Sequence, residues 1–281
     1  MHFHQKPNIY VTNVEIKVSD LQRSLQYYQE VIGFQILQQE AYQATLTADG
    51  QTALLTLIQP EIVEEKVGQT TGLYHFALLL PSRRDLANII NHFHQKSVYF
   101  GASDHHVSEA LYLNDPDGNG IEVYADRSEH EWLWHFNEVY MVTEPLHIRS
   151  ILAEGDGHWN GLPANTVMGH IHLSVANLME AEQFYTKGLG FTIVARYGTQ
   201  ALFISTGRYH HHIGLNTWQS ANAPKLGVNQ IGLKTFSLQL TNEEQAATIK
   251  ANLQTLGAPV IELEKGLQTE DPAGNVVLLK F

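Results

Sequence analysis

Leu111-Tyr112-Leu113-Asn114-Asp115-Pro116-Asp117-Gly118-Asn119-Gly120-Ile121-Glu122-Val123-Tyr124 reads as a strand, a tight turn and a second strand. Proline fixes φ in the turn, Asp115 can bond its own backbone, and Gly118 can take a conformation that side chains resist. Beyond the turn, Ile121 and Val123 share one face, and Glu122 and Tyr124 the other. A carboxylate inside an otherwise apolar strand is costly unless something positive meets it. The rest of the chain is read for that partner.

The pattern repeats. Val18-Ser19-Asp20-Leu21 runs through Tyr27-Tyr28 to Gly33-Phe34, and Val175-Ala176-Asn177-Leu178 runs through Phe184-Tyr185 to Gly190-Phe191. Each is an alternating strand, an Asp or Asn N-cap, an amphipathic helix and a glycine stop. Gly72-Leu73-Tyr74-His75-Phe76-Ala77-Leu78 likewise matches Gly232-Leu233-Lys234-Thr235-Phe236-Ser237-Leu238. Each of these precedes a helical stretch (84–95 and 243–256), a DP-x-GN turn and a final strand. The chain therefore reads as α+β, four strand–helix–strands modules in two tandem halves, 8–126 and 167–281. An aromatic-rich connecting segment, 127–166, is expected to pack over one of them. In the first strand Val14, Ile16 and Val18 would take the helix, leaving Asn13, Glu15 and Lys17 on the inside of a curved sheet. A polar interior suggests a cavity.

In register, the inner faces carry Asn13, His75, His170 and Thr235 on the first strands, and Glu122 and Leu278 on two last strands. Ligand-type residues fall in modules two and three only. Two imidazoles and a carboxylate form the set that leaves open positions on non-haem Fe(II), and the same set could hold Mn or Zn. His172, two residues on from His170, faces the same side and stands as the alternative ligand.

The bulk properties narrow the function classes. With 281 residues, 43% hydrophobic and 16% charged, the chain is globular, with room for substantial cores. A formal net charge of −12 argues against nucleic acid or an anionic membrane as partner. No run approaches the roughly 20 apolar residues of a membrane span, and the first residues have no signal-peptide core. The absence of cysteine removes disulfides and thiolate chemistry together. A cytoplasmic location is the simplest reading.

The four βαβββ modules resemble the vicinal oxygen chelate superfamily, which includes glyoxalases, fosfomycin-resistance proteins and extradiol dioxygenases. Within it, Leu111-Tyr112-x-x-Asp115-Pro116-x-Gly118-x-x-x-Glu122 looks like the signature that extradiol catechol dioxygenases place around their carboxylate ligand. The pattern looks most like the two-domain bacterial catechol 2,3-dioxygenases. The resemblance implies two tandem vicinal-oxygen-chelate domains with curved, barrel-like mixed sheets. It also implies His75, Glu122 and His170 as ligands of Fe(II), Tyr112 and His105 as substrate-bonding groups, and His211 as the acid–base histidine, with His212 its rival. The substrates implied are a small aromatic diol and dioxygen, the ring opening next to the diol.

Usual members draw the ligands from modules three and four. Ligands on modules two and three require those modules to pair across the halves within one chain, or across a homo-oligomer. A glyoxalase-type lyase or isomerase using Zn or Ni is the alternative chemistry; it needs a further base, for which Glu15 is the inner-face candidate. A non-catalytic small-molecule binding protein is the third reading.

Overall fold

The computed structural model describes residues 2–64 and 68–281. The helices begin where the sequence places their caps. The side chains of Asp20, Ser82, Asn177 and Asn242 each accept a hydrogen bond from a first-turn backbone N–H. Helix Leu21–Tyr27 passes into a wider turn, Tyr28–Ile32, and stops at Gly33 in the left-handed region. The longer helices of modules two and four span Arg83–Gln95 and Glu243–Thr255.

The strands assemble into two large sheets, each shared between the sequence halves. In one, the first strands of modules one and four, Tyr10–Lys17 and Gly232–Gln239, pair antiparallel. In the other, Gly72–Leu79 of module two pairs antiparallel with Val167–Ser174 of module three. Each first strand also runs parallel to the last strand of its own module, so the seam lies mid-sheet and the hairpins lie outside. Modules two and three thus pair within a single chain.

The main core takes Val14, Ile16, Phe76, Leu78, Ile121, Val123, Ile171 and Phe236 together with helix residues such as Leu25, Ile89, Phe93 and Leu253. Apolar strand residues on the helix side leave the opposite faces to line two interiors. Two symmetric hydrogen bonds tie consecutive modules through this core. The buried Tyr28 hydroxyl donates to Asp115 Oδ2 at 3.0 Å, and Tyr185 to Asp271 Oδ2 at 2.9 Å. Asp115 also accepts from the backbone N–H groups of Asp117 and Asn119, which closes the turn read from the sequence. Gly118 sits there at φ +83°.

The connecting segment lies over module two. Trp132 donates its indole N–H to the Val107 carbonyl, and Trp159 stacks on His92. Glu144 and Pro145 pair with the edge strand at Asp104 and Ser103. Among the described residues, no helix is long and apolar enough to cross a membrane.

Candidate metal centre and its cavity

The interior shared by modules two and three carries the ligand-type residues. His75 and His170 come from the two first strands across the seam, and Glu122 from the last strand of module two. Glu122 lies beside Ala77, and Ala77 faces His170 across the seam. His75 Nε2 and His170 Nε2 stand 2.9 and 3.1 Å from the same oxygen, Glu122 Oε2. One ligand atom from each residue lies within 4.8 Å of the others, and all three side chains are buried.

His172 does not share that point. It faces His75 across the seam, ring centres 4.9 Å apart, and forms a wall of the adjoining cavity. The register across the seam sets His172 opposite His75 and brings Glu122, through Ala77, to His170. Gly169 beside it is required by close approach: a Cβ there would stand 2.1 Å from the Tyr124 hydroxyl oxygen.

Burial alone would push the Glu122 carboxyl up; His170 and His75 outweigh it and hold the group well below the usual carboxylate range. Burial lowers the His170 imidazole, and Glu122 partly offsets this. Although His75 Nε2 lies within contact of Glu122, it is misaligned for a hydrogen bond and has no other partner. His170 Nε2 is within hydrogen-bond distance of Glu122, whereas the buried His75 Nε2, close to the same oxygen, is left without a partner that a cation at this point would supply. The residues present therefore fit a metal ion.

A cavity of about 660 Å³ opens directly on this point. Tyr74, Phe203 and Trp218 form aromatic walls, and Met141 to Thr143 of the connecting segment close another side. His105, Tyr112 and His211 line it as well. His105 Nδ1–H donates to the Val142 carbonyl at 2.6 Å, which leaves neutral His105 able to accept from the Tyr112 hydroxyl at Nε2, also 2.6 Å away. Burial, with the Glu122 charge adding to it, pushes the Tyr112 phenol well up, so it stays protonated.

His211 packs against His170, its ring tilted, with centres 4.1 Å apart. Burial first, then its histidine neighbours, holds its imidazole well below the ordinary value, and its Nε2 is buried without a partner. His212 is placed otherwise. It lies outside the cavity lining, its Nε2–H donates to the Phe3 carbonyl at 3.2 Å, and Nδ1 accepts from the Ser205 hydroxyl. The other candidate carboxylate, Glu15, belongs to the other sheet and lies 3.6 Å from Lys234.

Sequence reasoning passed over several groups here. Asp126 lies four residues beyond Glu122, on the same face by strand alternation, and is bonded to His210 at 2.8 Å. Period-two counting could have found it. Trp218 and the Met141–Thr143 wall come from loops, where periodicity carries no signal.

A family model described as the glyoxalase/bleomycin resistance protein/dioxygenase superfamily matches residues 11–123 and 167–278. The chain is 43% identical over 268 residues, 94% of both chains, to a catechol-2,3-dioxygenase of Bacillus subtilis (strain 168). Among solved structures, a Bacillus subtilis protein matches with TM-score 0.65 at 13% identity, covering 98% of this chain and 86% of its own. Glyoxalase I of Zea mays matches with TM-score 0.57 at 16% identity, covering 97% and 92%. At such identities those two likenesses concern the fold alone. The two tandem matches and the long relative agree: this chain belongs to the glyoxalase/bleomycin resistance protein/dioxygenase superfamily.

Proposed function

We propose that the chain is an extradiol dioxygenase that uses Fe(II) and dioxygen to open catechol-type rings next to the diol. The observation that carries this reading is the buried His75–Glu122–His170 set opening on a cavity that also holds His105, Tyr112 and His211. The 43% identity to a catechol-2,3-dioxygenase supports it.

His75, Glu122 and His170 would hold the ion, leaving its other positions to the cavity. When bound, Fe(II) supplies Lewis acidity that lowers the diol pKa, and the redox chemistry of dioxygen. The protein's own groups do the rest. The neutral His211 accepts a proton from the diol at Nε2. Tyr112, kept protonated by burial, holds a substrate oxygen and, with His105 behind it, returns a proton as the ring opens. Tyr74, Phe203 and Trp218 flank the ring and exclude water.

Fe(II)-loaded protein given catechol in air near neutral pH should form a yellow ring-opened semialdehyde. The absence of product across a range of catechols, with stoichiometric iron bound, would overturn the reading. No observation favours a glyoxalase-type reaction: among the described residues lining the cavity, Glu122 is the sole carboxylate.

A further inference from the structure

Behind His211 runs a chain of side chains, buried except for its partly exposed end at Asp126, that the reaction outlined above does not use. His210 Nε2 lies 2.8 Å from Asp126 Oδ1, and His210 Nδ1 lies 2.9 Å from His211 Nδ1. Asp126 Oδ1 also accepts from the Tyr209 hydroxyl at 3.2 Å, and Tyr209 bonds Tyr124 at 2.7 Å. His210 is 0% exposed and His211 8%. The Phe203 and His170 rings flank His211, with centres 5.0 and 4.1 Å away.

We infer that Asp126 and His210 are positioning residues that fix His211 in the tautomer protonated at Nδ1, so that its Nε2 lone pair faces the cavity as a base. A carboxylate can only accept, so the hydrogen between Asp126 and His210 belongs to His210 Nε2. A His210 that carries this one ring hydrogen has a lone pair at Nδ1. Two nitrogens 2.9 Å apart need one proton between them, and His211 Nδ1 must supply it. That leaves Nε2 of His211 as an acceptor, the atom that is buried and without a protein partner. An isolated imidazole has no such constraint, and a tautomer protonated at Nε2 would present a donor where the diol needs a base.

The inference rests on the reading of His211 as the base, and two measurements separate the two claims. In Zn(II)-loaded protein labelled with ¹⁵N-histidine, two-dimensional NMR reads the tautomer of His211 directly, the signal being assigned with His211→Gln. Wild type should show protonated Nδ1 and unprotonated Nε2. His210→Phe keeps the ring volume but neither bond, and should shift His211 toward the Nε2-protonated form. Asp126→Leu, at a partly exposed position, serves the same purpose should His210→Phe fail to fold. With catechol and Fe(II), either variant should lose about tenfold or more in kcat, with KM held within about threefold, as expected when a base is misplaced.

Wild-type His211 protonated at Nε2, or an unchanged kcat in a variant whose tautomer has shifted, would overturn the inference. If wild type cleaves no catechol while the NMR pattern is as expected, the dioxygenase reading fails and the tautomer assignment stands.

Discussion

His170 and His172 occupy the same face of one strand, and only one of them meets Glu122. His170→Ala is therefore expected to lower metal occupancy at least tenfold, whereas His172→Ala should leave the ion in place and change the cavity wall. Metal analysis of both proteins after identical loading decides it; equal losses would mean that the two imidazoles exchange roles. Histidine chemistry also predicts acid sensitivity. Burial lowers the His4 imidazole from 6.5 to about 4 while its Nε2–H donates to the Gly169 carbonyl. Unfolded His4 takes a proton below pH 6.5, and folded His4 does not until about pH 4. Stability is thus complete above pH 6.5, falls as the pH drops through that window and levels off below it, a loss of about 3 kcal/mol. Burial shifts His172 and His212 in the same direction. The melting temperature should fall less steeply between pH 6.5 and 4 in His4→Gln than in wild type; parallel slopes would place the acid sensitivity elsewhere. The convergence of His75, Glu122 and His170 was legible at this scale because a buried strand rarely carries charge. The choice between His170 and His172 was not, since the register across the seam settles which one meets Glu122 and alternation is blind to that.

At the scale of elements, the turn that ends each even-numbered module is also a clasp. Asp115 receives Tyr28 from the preceding module while holding its own loop closed. Asp115→Ala would leave the buried Tyr28 hydroxyl and two backbone N–H groups without acceptors, an expected loss of about 3 kcal/mol. Tyr28→Phe removes one of several bonds to Asp115 and should cost about 1 kcal/mol. Chemical denaturation of both variants checks the order; a larger loss for Tyr28→Phe would contradict it. Gly169→Ala should cost metal affinity as well as stability, because its methyl group meets the Tyr124 hydroxyl beside His170. A fully retained metal titration in that variant would mean that the strand yields without moving the ligand. Caps, glycine stops and turns were plain in the sequence, since each rests on one or two residues with a local physical role. The part the connecting segment plays in the cavity was not, because Met141 to Thr143 act through where the chain is carried.

Across the whole molecule, repeats revealed four modules but left open which edges would meet. Alternation says which face of a strand is buried and nothing about its neighbour. The ligand pattern narrowed the choice, and the sheets put module two beside three and module one beside four. Each sequence half thus owns one side of two seams. Residues 8–126 produced alone should bind no metal with the intact chain's affinity, and mixing with residues 167–281 should restore part of it. Tight binding by either piece alone would mean that the ligands do not need the seam.

That seam has a consequence in time as well as space. His170 is made 48 residues after Glu122 and 95 after His75. A ribosome that stalls between the halves releases a polypeptide with two of the three donors and no second wall to shut out water. Such a fragment would grip a metal ion poorly. A complete set of His75, Glu122 and His170 thus exists only once synthesis has passed the middle of the message, a consequence of the order of the modules.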